Sequence, residues 1–223
     1  EVREFIEKEI TEDGMKRTII IVATSEESPL IQIKATVLAH RIATFFRDDG
    51  RDVLFMFDSL TRFINAKKDV DIMNGEYPVE GKTLNIEPQL KQLLEKNGGT
   101  DKGSMTGVYT VLVDGDDFNG PVPDLARGIL DGHILLDRKL ADKNHFPAID
   151  ISRSISRLMD DIVPDEHKQM NRKFRSNLSI TNENELLFKT GSIENNEHTT
   201  EIFEAKRLSD KIMDFLKQPP HET

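Results

Sequence analysis

The sequence predicts an α/β fold built on a parallel sheet and followed by a small domain of helices. Three observations predict it. Val53-Leu54-Phe55-Met56-Phe57 is an unbroken apolar run ended by Asp58. Such a run reads as a strand buried on both faces, which a parallel sheet with helices on each side requires. Strand and helix patterns alternate as far as about Met159, the order that builds βαβ units with right-handed crossovers. From about Asp160 the strand pattern stops and only helical spacing continues. A core domain over residues 1–159 and a helical domain over 160–223 are therefore expected.

The elements follow in order. Val2, Phe5, Ile6 and Ile10 recur at helical spacing between Glu1 and about Glu12. Arg17 to Thr24 is a β-branched run with polar flanks and predicts a buried strand. Ser28 followed by Pro29 is a helix start, and the helical pattern runs to about Asp48 and stops at Gly50. The strand ending in Asp58 comes next, and Ser59 opens another helix. From Asn65 to Glu87 no period is legible, so a loop or irregular segment is expected. Gln89 to Lys96 reads as helix, closed by Asn97-Gly98-Gly99. Ser104 to Val113 predicts a strand, Asp124 to Leu130 a short helix, and Gly132 to Leu136 another strand. Two or three helices complete the chain, the last near Ile202 to Leu216.

Composition narrows the function. The chain has 223 residues with 40 acidic and 30 basic side chains, a net charge of −10 that argues against a nucleic-acid scaffold. Lys168, Arg172, Lys173 and Arg175 stand at helical spacing and predict a solvated helix face. With no cysteine, disulfides, thiol catalysis and Cys-ligated metals are excluded, which fits a reducing compartment. No run reaches membrane-span length, and Glu-Val-Arg-Glu at the start has no signal-peptide character. Lacking an initiator Met, the chain is expected to begin inside a longer protein. The six histidines show no ligand spacing and read as packing or surface residues.

One stretch carries chemistry. An aspartate at the carboxyl end of an apolar parallel strand sits where open α/β sheets bind ligands. That is the Walker B arrangement, in which the carboxylate holds Mg²⁺ for a bound nucleotide. The plain alternative for Asp58 is a helix cap or turn residue. Arg62 lies four residues on, so an ion pair with Asp58 and a role in the site both stand open. Gly75 to Gly81-Lys82-Thr83 imitates a phosphate-binding loop, but five residues intervene instead of four, Pro78 is among them, and a helix precedes it.

Further stretches define a family. Tyr109-Thr110-Val111-Leu112-Val113-Asp114-Gly115-Asp116-Asp117 joins a strand to an acidic loop. Arg127-Gly128-Ile129-Leu130-Asp131-Gly132-His133-Ile134-Leu135-Leu136 follows it, and Phe146-Pro147-Ala148-Ile149-Asp150 leads into Ser154-Ile155-Ser156-Arg157. Together with Ala23-Thr24-Ser25 and Asp58-Ser59-Leu60-Thr61-Arg62, the chain resembles the flagellar and type III secretion export ATPases, relatives of the rotary ATP synthase catalytic subunits. The resemblance is dense to Met159 and thinner beyond.

It implies a RecA-like P-loop NTPase core with a C-terminal helical domain, working as a homohexamer with Mg²⁺ and ATP at the subunit interfaces. It further implies a cytoplasmic protein at the cytoplasmic face of the inner membrane. The implied partners are the stalk and regulator proteins of an export apparatus, its export gate, and chaperone–substrate complexes. On this resemblance Asp58 is the Walker B carboxylate and Arg157 the arginine finger reaching a neighbouring subunit's site. Asp116 and Asp117 would form an acidic loop facing the ring axis.

The family's G-x-x-x-x-G-K-[ST] loop and its water-polarising glutamate are absent from these residues, so this chain alone is not expected to hydrolyse ATP. Other departures are Gln32 where a basic residue is usual beside Lys34, Lys67-Lys68 for a Gln-Arg pair, a lost Pro-rich segment over Val79 to Glu87, and Ser192-Ile193 after Gly191 where an aromatic is usual. Two alternatives stand beside an enzyme: a non-catalytic ring or chaperone-binding subunit, and a rotary proton-translocating ATP synthase subunit. Ser59 to Arg62 and Arg127 to Leu136 resemble the export branch more than the rotary one.

Overall fold

A computed structural model describes residues 2–76, 86–113, 115, 117–190 and 199–219. The decoy residues Pro78, Gly81, Lys82 and Thr83, the segment from Val79 to Asn85, Asp116, Gly191 to Ile193, His198 and His221 lie outside the described residues. The chain divides into two compact units, Glu1–Leu130 and Asp131–Thr223. The boundary expected between Met159 and Asp160 falls inside the second unit, where residues near Gly132 pair with residues near Ser156.

The first unit opens with α1 (Val2–Glu9) and α2 (Glu12–Met15), then α3 (Pro29–Asp48). Ser28 is the N-cap of α3 with Pro29 in its first turn, and Gly50 beyond its end adopts φ +90°, a conformation that favours glycine. β1 (Asp52–Phe57) and α4 (Leu60–Met73) follow, then α5 (Ile86–Leu94), β2 (Gly98–Gly99), β3 (Ser104–Tyr109) and α6 (Pro121–Ile129). The sheet order is β1-β3-β2, with β1 and β3 parallel in the register Phe57↔Tyr109 and β2 antiparallel to β3.

Two clusters hold this unit together. Leu60, Phe63 and Ile64 of α4 pack with Ile86, Leu90, Leu93 and Leu94 of α5 and with Leu125 and Ala126 of α6. Ala43 of α3 packs on Phe55 of β1 and Met105 of β3. Each fully buried Leu in such a cluster contributes roughly 1.5–3 kcal/mol relative to exposure.

Four expectations are corrected. β1 is covered on one face only: Phe55 is buried, whereas Leu54 and Met56 are each 65% exposed, because no described element packs over the side they occupy. Arg17 to Thr24 forms no strand, and Ile19 and Val22 are exposed. β-branched propensity builds a strand only where a neighbour completes the ladder. α4 continues to Met73, through residues expected to be irregular. Its inner face buries Asp71 beside Lys67 at 3.7 Å, and this polar pair breaks the apolar period that sequence reading depends on. Lastly, β3 ends at Tyr109 instead of Val113, because the next residues bond to the start of α4 and leave the ladder.

In the second unit β4 (Gly132–His133) precedes α7 (Arg138–Asp142), β5 (Ile155–Ser156) and α8 (Met159–Ile162). α9 (Asp165–Glu183), α10 (Glu185–Thr190) and α11 (Thr200–Leu216) then realise the expected helices. The strand expected over Gly132 to Leu136 does not extend the parallel sheet. It pairs antiparallel with β5 and continues as a Leu136–Ile149 bridge. Gly132 is required there, since a Cβ would stand 2.4 Å from the Ile155 carbonyl oxygen. Leu178 of α9 and Ala205 of α11 are buried, and the rings of Phe174 and Phe215 meet edge-on at 6.4 Å. No helix among the described residues is long and apolar enough to cross a membrane.

Candidate functional site

The site of the first unit forms where β1 and β3 end side by side. Asp58 is the first residue beyond β1 and is exposed. The parallel register places Thr110 directly beside it, and the Thr110 hydroxyl donates to Asp58 Oδ1 at 2.6 Å. That length belongs to the strong class of O–H···O⁻ bonds. The Asp58–Ser59 peptide bond is cis. Ser59 then caps α4 as expected, its Oγ accepting from the Arg62 backbone N–H at 3.4 Å.

Residues 110–112 are laced to the start of α4. The Thr110 N–H donates to Phe57 O at 3.0 Å, and the Leu60 N–H donates to Thr110 O at 2.9 Å. Thr61 Oγ1 accepts from the Leu112 N–H at 2.9 Å and donates to Leu112 O at 3.2 Å. A polar relay lies beneath the strands. His40 of α3 is wholly buried and donates from Nδ1 to Thr36 O at 2.9 Å. Its Nε2 therefore accepts from the Tyr109 hydroxyl, 3.1 Å away.

Asn97 Nδ2 in turn donates to Tyr109 Oη at 2.8 Å and to Leu94 O at 2.7 Å. Gly107 makes room for this amide, because a Cβ there would sit 2.4 Å from Asn97 Oδ1. Burial pushes the His40 imidazole below its ordinary pKa; the Thr36 bond opposes the shift and the Lys96 charge adds to it, so His40 is neutral. Burial also pushes the Tyr109 hydroxyl up to about 12 against the opposing Asn97 bond. The Phe55 ring lies tilted at 51° against His40, with ring centroids 4.3 Å apart. The relay thus fixes the strands whose ends carry Asp58 and Thr110.

Arg62 does not form the ion pair with Asp58, one of the two readings left open for it. Asp58 precedes the cap, and Ser59 at φ −137°, ψ 157° is extended, so the two side chains do not share a helical face. Among the described residues Arg62 makes no salt bridge and is exposed on α4. Arg157 belongs to the second unit. It follows β5, its side chain is exposed, and its N–H donates to Asp131 O at 2.8 Å.

The segment before Arg157 is pinned: Ser154 Oγ donates to Asp150 O at 2.6 Å and accepts from the Leu135 N–H at 3.0 Å. Arg153 bridges Asp150, at 2.6 Å, and Asp137. Burial pushes the Asp150 carboxyl up, but the bonds and charge of Arg153 outweigh it and leave it below the usual range. Of the acidic loop, Asp117 is described; its carboxylate accepts from the Asn119 N–H at 3.0 Å and shapes a turn.

Among the described residues no three acidic or histidine side chains gather as a metal site. Within the same residues Asp58 makes no salt bridge, and its only hydrogen bond is that from Thr110. A single exposed carboxylate suits Mg²⁺ carried by a phosphate ligand, since that ion keeps most of its waters and takes one or two protein carboxylates. Sequence reasoning missed Thr110, Thr61 and the His40–Tyr109–Asn97 relay. Only the strand register reveals them, although Tyr109-Thr110 lay within a stretch already singled out.

The chain matches known families and solved structures over nearly its whole length. The nucleotide-binding domain of the ATP synthase alpha/beta family matches residues 1–156, and the T3SS EscN ATPase C-terminal domain matches residues 163–223. The flagellum-specific ATP synthase of Bacillus subtilis is 44% identical over 223 residues, which is 100% of this chain and 51% of that protein. The SPI-2 type 3 secretion system ATPase of Salmonella typhimurium is 40% identical, covering 100% of this chain and 51% of its own length. Among solved structures, the assembled ATPase EscN of the enteropathogenic E. coli type III secretion system superposes with a TM-score of 0.92 at 37% identity, over 98% of this chain and 53% of that one. EscN in complex with its central stalk EscO gives 0.89. The chain spans about half the length of the curated relatives it matches.

Proposed function

Because this chain belongs to the ATP synthase alpha/beta family, we propose that it is part of an ATPase that energises flagellar or type III protein export. The observation that carries the proposal is Asp58, an exposed carboxylate at the carboxyl end of a parallel strand, anchored by its neighbour strand through one oxygen. In open α/β sheets that position faces the ligand crevice. Mg²⁺ with ATP supplies the charge neutralisation and the transferable phosphoryl group; Asp58 is the residue that holds the ion. Arg157, exposed on a pinned segment, serves as the finger for the site of a neighbouring subunit. Arg62, with no salt bridge among the described residues, is an additional cation at the Asp58 site.

The working assembly is a homohexamer with ATP sites at its interfaces. Its core domain spans residues 1–159 and its helical domain 160–223. Similarity to EscN, assembled and bound to its stalk, supports a ring with a central stalk partner. Export regulators and chaperone–substrate complexes complete the partners, and nucleic acid is not among them. The ring works in the cytoplasm against the inner membrane, held there through the export gate. The phosphate-binding loop is not among these 223 residues, so the chain by itself does not turn over ATP.

The test is ATP turnover by the full-length protein. Arg157→Ala should lower turnover roughly 10³–10⁵-fold, the usual worth of such a finger. Turnover that stays within about threefold of the wild type would remove Arg157 from the site. Turnover per subunit should also rise with protein concentration as rings assemble, and a flat dependence would contradict interfacial sites.

A further inference from the structure

We propose that Thr110 is a positioning residue for magnesium binding, fixing the Asp58 carboxylate so that it meets the ion in one orientation. The inference rests on the reading of Asp58 as the magnesium carboxylate. Three bonds from this one threonine straddle that aspartate. Its N–H holds Phe57 O at 3.0 Å, its carbonyl holds the Leu60 N–H at 2.9 Å, and its hydroxyl holds Asp58 Oδ1 at 2.6 Å. The residues before, at and after Asp58 are thus tied to a single point on the neighbouring strand.

Thr110 is exposed, so burial does not oblige its hydroxyl to find a protein partner. Water would satisfy it, yet it makes a short bond to the carboxylate. Its branched Cβ restricts χ1, and the two backbone bonds fix the main chain, so the hydroxyl is delivered from a rigid support. Asp58 has no other restraint on its side chain: no salt bridge reaches it among the described residues, and Oδ2 accepts no hydrogen bond there. An exposed aspartate without the Thr110 bond would spread over several rotamers, and ion binding would have to collect them. Groups that orient a metal's ligands in this way are typically worth 10–100-fold in metal affinity. A single bond to an exposed carboxylate belongs at the lower end of that range.

The experiment is a Mg²⁺ titration of a fluorescent ATP analogue bound to the full-length protein, with binding in EDTA as the metal-free reference. Thr110→Val removes the hydroxyl and keeps the branched shape. It should raise the half-saturating Mg²⁺ concentration about tenfold and leave metal-free binding unchanged. Thr110→Ser should restore Mg²⁺ affinity to within about threefold of the wild type, because it keeps the donor. The proposal is overturned if Thr110→Val shifts Mg²⁺ affinity by less than about twofold, or if the Ser and Val variants are equally impaired. It is likewise overturned if metal-free binding falls in parallel, which is what a loss of packing would do. Asp58→Asn separates the two layers. If it leaves the Mg²⁺ titration unchanged, the underlying assignment fails and takes this one with it. If it abolishes the Mg²⁺ response while Thr110→Val does not weaken it, only the role of Thr110 fails.

Discussion

Tyr109→Phe removes a single oxygen from the relay beneath the site, and the structure sets the size of the effect. That oxygen donates to His40 Nε2 at 3.1 Å and accepts from Asn97 Nδ2 at 2.8 Å. Asn97 Nδ2 keeps a second acceptor, Leu94 O at 2.7 Å, and Asn97 Oδ1, 3.1 Å from the same hydroxyl, belongs to a half-buried residue that water can reach, so the amide is not stranded. His40 is 0% exposed and no water can replace the lost donor, so Nε2 becomes a buried acceptor without a partner. Such a group costs about 1–3 kcal/mol.

We therefore expect a loss of about 2 kcal/mol, which with a urea slope of about 1–3 kcal/mol/M moves the unfolding midpoint down by about 1 M. Urea denaturation followed by far-ultraviolet circular dichroism at pH 8 measures it. His40→Leu provides the control, because it removes the stranded nitrogen. In the double variant Tyr109→Phe should cost distinctly less than it does alone. A loss below about 0.5 kcal/mol, or strict additivity with His40→Leu, would refute the relay as an energetic unit.

Leu60→Ala deletes a side chain that is 0% exposed at the centre of the larger core cluster, and should cost about 3–4 kcal/mol in the same urea assay. Stability should also depend on pH through buried imidazoles. Burial lowers the pKa of both His40 and His145 from 6.5, with nearby lysine charge adding to the shift. The unfolded chain then binds more protons just below that pH, so stability is full above it and falls as pH drops towards the folded values. Urea midpoints between pH 8 and pH 5 check the direction, and a rise on acidification would contradict it. Arg153→Ala breaks the bridge between Asp150 and Asp137, but the arginine side chain is 47% exposed. Solvent screening limits the stability loss to under about 1 kcal/mol, measurable as a shift of a few degrees in thermal unfolding.

Much of the fold was legible where local chemistry decides the outcome. Ser28-Pro29 and Gly50 bound α3 because a cap, a fixed φ and a glycine turn act on their immediate neighbours. The apolar run to Asp58 and the Ser59 cap were legible for the same reason. What escaped depends on partners far along the chain. Arg17 to Thr24 has strand composition but no ladder among the described residues, and Gly132 pairs antiparallel with Ser156 instead of joining the main sheet. The buried Lys67–Asp71 pair concealed the second half of α4.

The site divides in the same way. The roles proposed for Asp58 and Arg157 rest on stretches with a recognisable residue order, and the resemblance to export ATPases drawn from those stretches is borne out by the family and the relatives matched. Thr110 meets Asp58 only through a register that joins positions 52 residues apart. Of the two readings left open for Arg62, the ion pair with Asp58 is not made among the described residues, because helical spacing does not extend past a cap in the extended conformation.

The most direct measurement mixes two full-length variants that the proposal expects to be inactive, Asp58→Asn and Arg157→Ala, and follows single-turnover ATP hydrolysis as the subunits exchange. If the carboxylate and the finger meet across a subunit interface, mixed rings contain interfaces that pair the intact Asp58 of one subunit with the intact Arg157 of its neighbour, and hydrolysis reappears. If the mixture stays at the level of the separate variants while rings demonstrably exchange, the two residues do not complete one interfacial site.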